Sequence, residues 1–172
     1  MATRITRIET AEPEEVGLER LLCHRVTVLS KVMNRLAGRF LSAEFGLTIA
    51  EWWILGQLDQ HSPRTLRWIS EATLTDKAQL SRAAASLVER GYITRRTDPS
   101  DARSILFSIT EEGREISTTS GVARRDVDRE LLGLLSEDDR EALCRSLDRI
   151  TEFLLSEDES IEYGAASRAS AD

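Results

Sequence analysis

TDKAQLSRAAASLVERG (75–91) followed by YITRRTDPSDARSILFSIT (92–110) is the stretch whose reading decides the fold. In the first segment Leu80, Ala84, Leu87 and Val88 fall on one helical face, and Lys77, Gln79, Ser81 and Arg82 stand near its start on the other. Thr75 and Asp76 offer a capping hydroxyl and an acid in the first turn, and Gly91 is placed to end the helix in a left-handed conformation. Ala83, Ala84 and Ala85 allow close packing on a preceding helix. The period then changes to two in Tyr92–Thr97 and again in Ser104–Ile109. Between them Asp98–Arg103 is a turn-rich connector, which predicts a β-hairpin with a charged tip.

Working towards the N-terminus, Leu66–Leu74 after Pro63 predicts a short helix. Thr48 with Glu51 three residues on forms a capping box for a helix to about Leu58. Leu18, Leu22, Val26, Leu29, Met33, Leu36 and Phe40 recur at steps of three and four, a long amphipathic helix to about Phe45 whose apolar seam wants a partner. Beyond the hairpin, Thr110 caps a long helix to about Leu135, and Ser136 caps another through Leu154. The fold expected is mainly α with a small β-hairpin wing: a winged helix-turn-helix plus a helical dimerisation region. Its expected organisation is a flexible tail (1–17), a dimerisation helix (18–46), the winged domain (47–110), C-terminal dimerisation helices (111–155) and a disordered tail (156–172).

Three helices and a hairpin, with basic residues on the third helix and the hairpin, have a direct use. A helix fits the major groove of B-DNA, and the side chains of its first turns reach base edges. Lys77 and Arg82 can address guanine or phosphate, Gln79 adenine, and Ser81 either. Arg95, Arg96 and Arg103 lie on or beside the wing, and a wing arginine suits the narrow, electronegative minor groove.

The charge distribution agrees. The 172 residues carry a net charge of −7, which taken alone argues against nucleic acid. From Arg64 to Ile105, however, eight Lys/Arg face five acids, a local net of +3, and the remainder carries −10. A basic segment on an acidic body favours a local polyanion-binding surface. No run of about 18 apolar residues exists to span a bilayer, and the first twenty residues lack a signal-peptide core, so a cytoplasmic location is expected. Two cysteines, Cys23 and Cys144, frame no disulfide scaffold. With only His24 and His61, a metal site is a poor prospect, no Ser/His/Asp arrangement or phosphate-binding Gly loop is present, and neither cofactor nor catalysis is expected.

These residues resemble the MarR family of transcriptional regulators. The likeness rests on Thr48–Leu55 (TIAEWWIL), Thr75–Arg82, Leu87–Ile93 and Asp98–Ser104, and is dense over residues 47–116. The family's wing signature, Asp-x-Arg followed after five residues by Leu-Thr, reads here from Asp101 and Arg103 to Ile109 and Thr110, with Ile in place of Leu. The resemblance implies a homodimer with intertwined first, fifth and sixth helices that binds a pseudo-palindromic double-stranded operator. It implies that Arg103 enters the minor groove and that Asp101 positions the wing through an ion pair, for which Arg90 or Arg95 is nearest in sequence. It also implies a pocket for a small aromatic carboxylate or phenol, whose release of a repressor from DNA is the function expected. Trp52, Trp53 and Trp68 with His24 and Arg25 are the candidate lining. Urate is disfavoured, because the relative that binds it uses a Trp in the first helix. Two alternatives stand beside this: a thiol switch at Cys23, placed as in peroxide-responding relatives but with only Tyr92 and Tyr163 for tyrosines, and a winged module that binds protein rather than DNA.

Overall fold

The computed structural model describes residues 21–157. The expected tails lie outside these residues except for Ser156 and Glu157, as do Leu18 and Arg20. The order is α1 (Leu22–Phe45), α2 (Ile49–His61), α3 (Leu66–Thr73), α4 (Lys77–Glu89), β1 (Ile93–Asp98), β2 (Asp101–Ile109), α5 (Glu111–Leu132) and α6 (Glu137–Glu157). This is the winged helix-turn-helix anticipated from the sequence.

Local chemistry sets the boundaries. Gly46 ends α1 in a left-handed conformation (φ 60°), and Thr48 opens α2 with both halves of the capping box formed. Thr65 caps α3 and Thr110 caps α5. At α4 the cap is Asp76, which accepts from the Gln79 N–H at 3.0 Å, rather than the Thr75 hydroxyl. The Thr75 hydroxyl is instead held in the turn by Thr73 at 2.9 Å. The hairpin is also tighter than its composition suggests. The strands run to Asp98 and Asp101, so the connector is only Pro99 and Ser100, and Arg103 belongs to β2 rather than to a free loop. A short third pairing flanks β2, where the Arg64 and Phe107 backbones exchange hydrogen bonds of 3.0 and 2.8 Å.

The core lies under the winged unit. Leu41 and Leu47, Ile54, Leu55 and Leu58 of α2, Ile69 of α3, Leu80 and Leu87 of α4 and Ile93 of β1 are fully buried. Helix α2 packs on α1, α3, α4, α5 and β2, which is why it is apolar almost all round. The rest of the chain is different. No residue of α6 is buried, and the N-terminal part of α1 exposes Leu22, Val26, Leu29, Met33 and Leu36. Among the described residues no helix is long and apolar enough to cross a membrane.

Candidate nucleic-acid interface

Helix α4 is anchored by its buried face. Leu80, Ala83, Ala84 and Leu87 sink into the core against α2 and α3, so Lys77, Gln79, Ser81 and Arg82 are all turned outward at its N-terminal half. The four spread over the exposed side of the helix, Ser81 towards the wing and Gln79 and Arg82 towards the start of α2, and so offer donors and acceptors of the kind that a major groove reads.

The hairpin stands beside this helix. Arg95 lies opposite Phe107 and Arg96 opposite Leu106, so the two arginines point to opposite faces. Arg95 lines a groove between α4 and the wing together with Leu66, Ser81, Ala85 and Glu89. Arg96 is exposed on the other side. At the tip the acids are engaged locally. Asp98 accepts from the Ser100 hydroxyl (2.7 Å) and N–H (2.9 Å), bonds that hold its carboxyl below the usual aspartate range. Asp101 accepts from the Arg103 N–H at 3.0 Å. The expected ion pair from Asp101 to Arg90 or Arg95 does not form. Arg90 is drawn away to the end of α1, where it donates to the Gly46 carbonyl at 3.0 Å and lies 3.5 Å from Glu51. The Asp101 carboxylate instead closes a turn on its own strand, two residues long.

Glu51 is the buried acid behind the interface. It accepts from the Thr48 N–H (2.7 Å) and hydroxyl (2.9 Å) and from the Ser86 hydroxyl of α4 (2.6 Å). Burial pushes its carboxyl up, but the bonds from Ser86 and Thr48 and the Arg90 charge outweigh that and hold it below the ordinary value.

Comparison with known proteins meets this geometry at the same residues. Residues 45–104 match the model of the MarR family. The HTH-type transcriptional regulator YxaD of Bacillus subtilis is 30% identical over 106 residues, spanning 62% of this chain and 74% of YxaD. The chain belongs to the MarR family. It is a DNA-binding transcriptional regulator and not an enzyme. Two solved MarR-fold proteins share its architecture. The MepR–DNA complex of Staphylococcus aureus has a TM-score of 0.71 at 21% identity, covering 78% of this chain and 98% of MepR. BpsR of Bordetella bronchiseptica, whose DNA binding is regulated by 6-hydroxynicotinic acid, has a TM-score of 0.70 at 19% identity, covering 78% and 95%.

This MarR-family chain divides the residues expected to hold an effector. Trp52 and Trp53, ring centroids 4.8 Å apart, line a cleft of about 430 Å³ between α2 and α5. Trp68 is elsewhere, edge-on to His61 at 5.3 Å with the Arg64 guanidinium 4.9 Å over its ring. His24 and Arg25 sit in the first turn of α1, and neither borders the cleft. The cations that do border it are Arg124, 5.8 Å over Trp52, and Arg125. Asp59 lies across the same cleft, paired with Arg114 at 2.9 Å and accepting from Ser117 at 3.4 Å. A signal for α5 is present in the sequence: Ser117, Gly121 and Arg125 recur every four residues, so two small residues and a cation share the helix face that lines the cleft. Cys23 and Cys144 are both exposed free thiols. Among the described residues no group of three or more His, Cys, Asp or Glu could hold a metal ion.

Proposed function

We propose that this regulator is a homodimeric repressor whose grip on a pseudo-palindromic operator is released by a small aromatic acid or phenol in the α2/α5 cleft. The observation that carries the ligand reading is the meeting of Trp52 and Trp53 with Arg124 and Arg125 between the helix that supports α4 and the helix that leads away from the wing. Two indoles tilted 53° to each other offer aromatic walls to a flat ring, and a guanidinium beside them favours its carboxylate or phenolate. An occupant would press on the Asp59–Arg114 pair and alter the angle between α2 and α5. BpsR offers a precedent on the same fold, since its regulator is an aromatic acid.

The dimer reading rests on exposed seams. A lone α6 with Leu143, Leu147, Ile150, Phe153 and Leu154 open to water would not be stable as a helix. Helix α1 is rich in Arg and Lys and α6 in Asp and Glu, so a second copy supplies both apolar cover and opposite charge. On this reading residues 18–46 and 111–155 form the dimerisation layer and 47–110 the DNA-binding domain. Lys77, Gln79, Ser81, Arg82, Arg95 and Arg103 carry the DNA contacts, with half-sites about 10 base pairs apart, while Arg96, on the opposite face of β1, stays outside them.

The test is a titration of the full chain with benzoate, 4-hydroxybenzoate and phenol, read by tryptophan emission and by gel shift on DNA upstream of its own gene. Quenching that accompanies release of DNA, with both lost in Arg124→Ala, is the expected result. A panel that quenches nothing and releases nothing would overturn the ligand reading, and a monomeric mass at micromolar concentration would overturn the dimer.

A further inference from the structure

We propose that Arg90 is a positioning residue for DNA recognition, a latch that sets where α4 stands relative to α1. Helix α1 has no basic residue in its last turn, so its negative end receives no compensation from its own sequence. Arg90, the residue that closes α4, provides it from 44 residues on. Its guanidinium donates to the Gly46 carbonyl at 3.0 Å and reaches the Phe45 carbonyl at 3.5 Å. The same group lies 3.5 Å from Glu51 in the first turn of α2 and 4.7 Å over the Tyr92 ring at the root of the wing. Its side chain is only 30% exposed. One cation thus joins the end of α1, the start of α2, the end of α4 and the wing.

The lever arm makes this matter. The apolar packing of α4 on α2 is non-directional and tolerates small rotations, whereas a forked guanidinium on two carbonyls does not. Lys77 stands about 18 Å from the far end of α4 at 1.5 Å per residue, so a swing of about 10° about Arg90 moves it about 3 Å. That displacement is close to the rise of one base pair, about 3.4 Å. If two copies meet along α1, the distance between their recognition helices is registered through Arg90. The proposal therefore rests on the dimer reading above.

The experiment uses the full chain and a duplex selected from random DNA by the wild-type protein, with the half-site spacing then changed by one base pair either way. Wild type should lose about tenfold or more in affinity off its spacing, since spacing mirrors the protein's two-fold geometry. Arg90→Gln should bind the selected duplex about tenfold more weakly, as loss of a charge-assisted bond implies, and vary less than about threefold across the three spacings. Its salt dependence should keep the wild-type slope. Arg90→Lys, which keeps the charge and loses the fork, should show the same flattened profile, and it carries the test if the Gln variant does not fold. A slope reduced by about one would make Arg90 a phosphate contact instead. A uniform loss with the steep spacing profile retained would make it merely structural, and a wild-type profile in Arg90→Lys would show that charge alone suffices; each overturns the proposal. A monomeric wild type removes the dimer reading and this inference with it, whereas a dimer whose own spacing profile is flat overturns this inference alone.

Discussion

Replacing Glu51 with Gln should cost stability at neutral pH and much less in acid. Glu51 is 4% exposed and takes four contacts at once: the Thr48 N–H and hydroxyl, the Ser86 hydroxyl, and the Arg90 charge. Glutamine at this position can keep a capping box, accepting from Thr48 with its one oxygen. Its amide must then turn an N–H towards the Ser86 hydroxyl, which can rotate to accept. What disappears is the charge assistance to these bonds and the attraction of Arg90. Charge-assisted bonds exceed neutral ones by about 1 kcal/mol each, so the loss should be about 2 kcal/mol at pH 7. The Glu51 carboxyl is held below its ordinary value of 4.5, so the folded state binds its proton less readily than the unfolded state. Its contribution is complete above that ordinary value and is lost as pH falls through the depressed folded-state pKa. Urea unfolding of both proteins at matched concentration, from pH 7 down through the acid limb, should give a constant gap that closes only at the acid end. Burial opposes ionisation here, and equal stability at pH 7, or a gap that widens on acidification, would show that burial prevails over the hydrogen bonds.

Gly113→Ala should cost more than about 3 kcal/mol in the same unfolding measurement, because the new methyl runs into the Tyr92 carbonyl oxygen that also accepts from Thr110, and backbone cannot step aside as a side chain would; a loss under about 1 kcal/mol would show that α5 shifts freely. Arg95→Ala should reduce the slope of log affinity against log salt by about one, while Arg96→Ala, on the opposite face of β1, leaves it near wild type. Equal slopes for the two variants would place the DNA strand outside the groove between α4 and the wing.

What the sequence made legible follows from the physics of each element. The outward side of α4 is readable because one buried face fixes the phase of an amphipathic helix, and Leu80, Ala84 and Leu87 mark that face. Helix α2 offers no such phase. Trp52, Trp53, Ile54 and Leu55 are successive apolar residues on a helix surrounded by neighbours, so periodicity could not say which indole would face α5. The Trp68 ring belonged to another surface for the same reason, since residue type alone does not choose a neighbour. The hairpin looked longer-looped than it is because Asp98 and Asp101 are turn formers by composition, yet both still pair in the ladder. Nearness in sequence makes Arg90 or Arg95 the candidate partner of Asp101, but a guanidinium follows the carbonyls within its reach in space, and for Arg90 those are at the end of α1.

The acids inside the basic segment explain how a chain of net charge −7 presents a cationic face. Glu71 is paired with Arg67 at 2.6 Å, Asp76 caps α4, and Asp98 and Asp101 are turned into the wing's own backbone. Four of the five acids between residues 64 and 105 thus spend their lone pairs on local partners, whereas Lys77, Arg82, Arg95, Arg96 and Arg103 are exposed. Among the described residues the other acids lie chiefly on α5 and α6, and at physiological ionic strength a charge more than about 8 Å from a phosphate is largely screened. Repulsion from the body therefore acts weakly on a docked complex and chiefly on wrongly oriented approaches. The acidic body and the basic wing together form a dipole that turns the recognition face towards DNA before contact, so the same charge asymmetry that obscures the function in the overall composition favours correct docking.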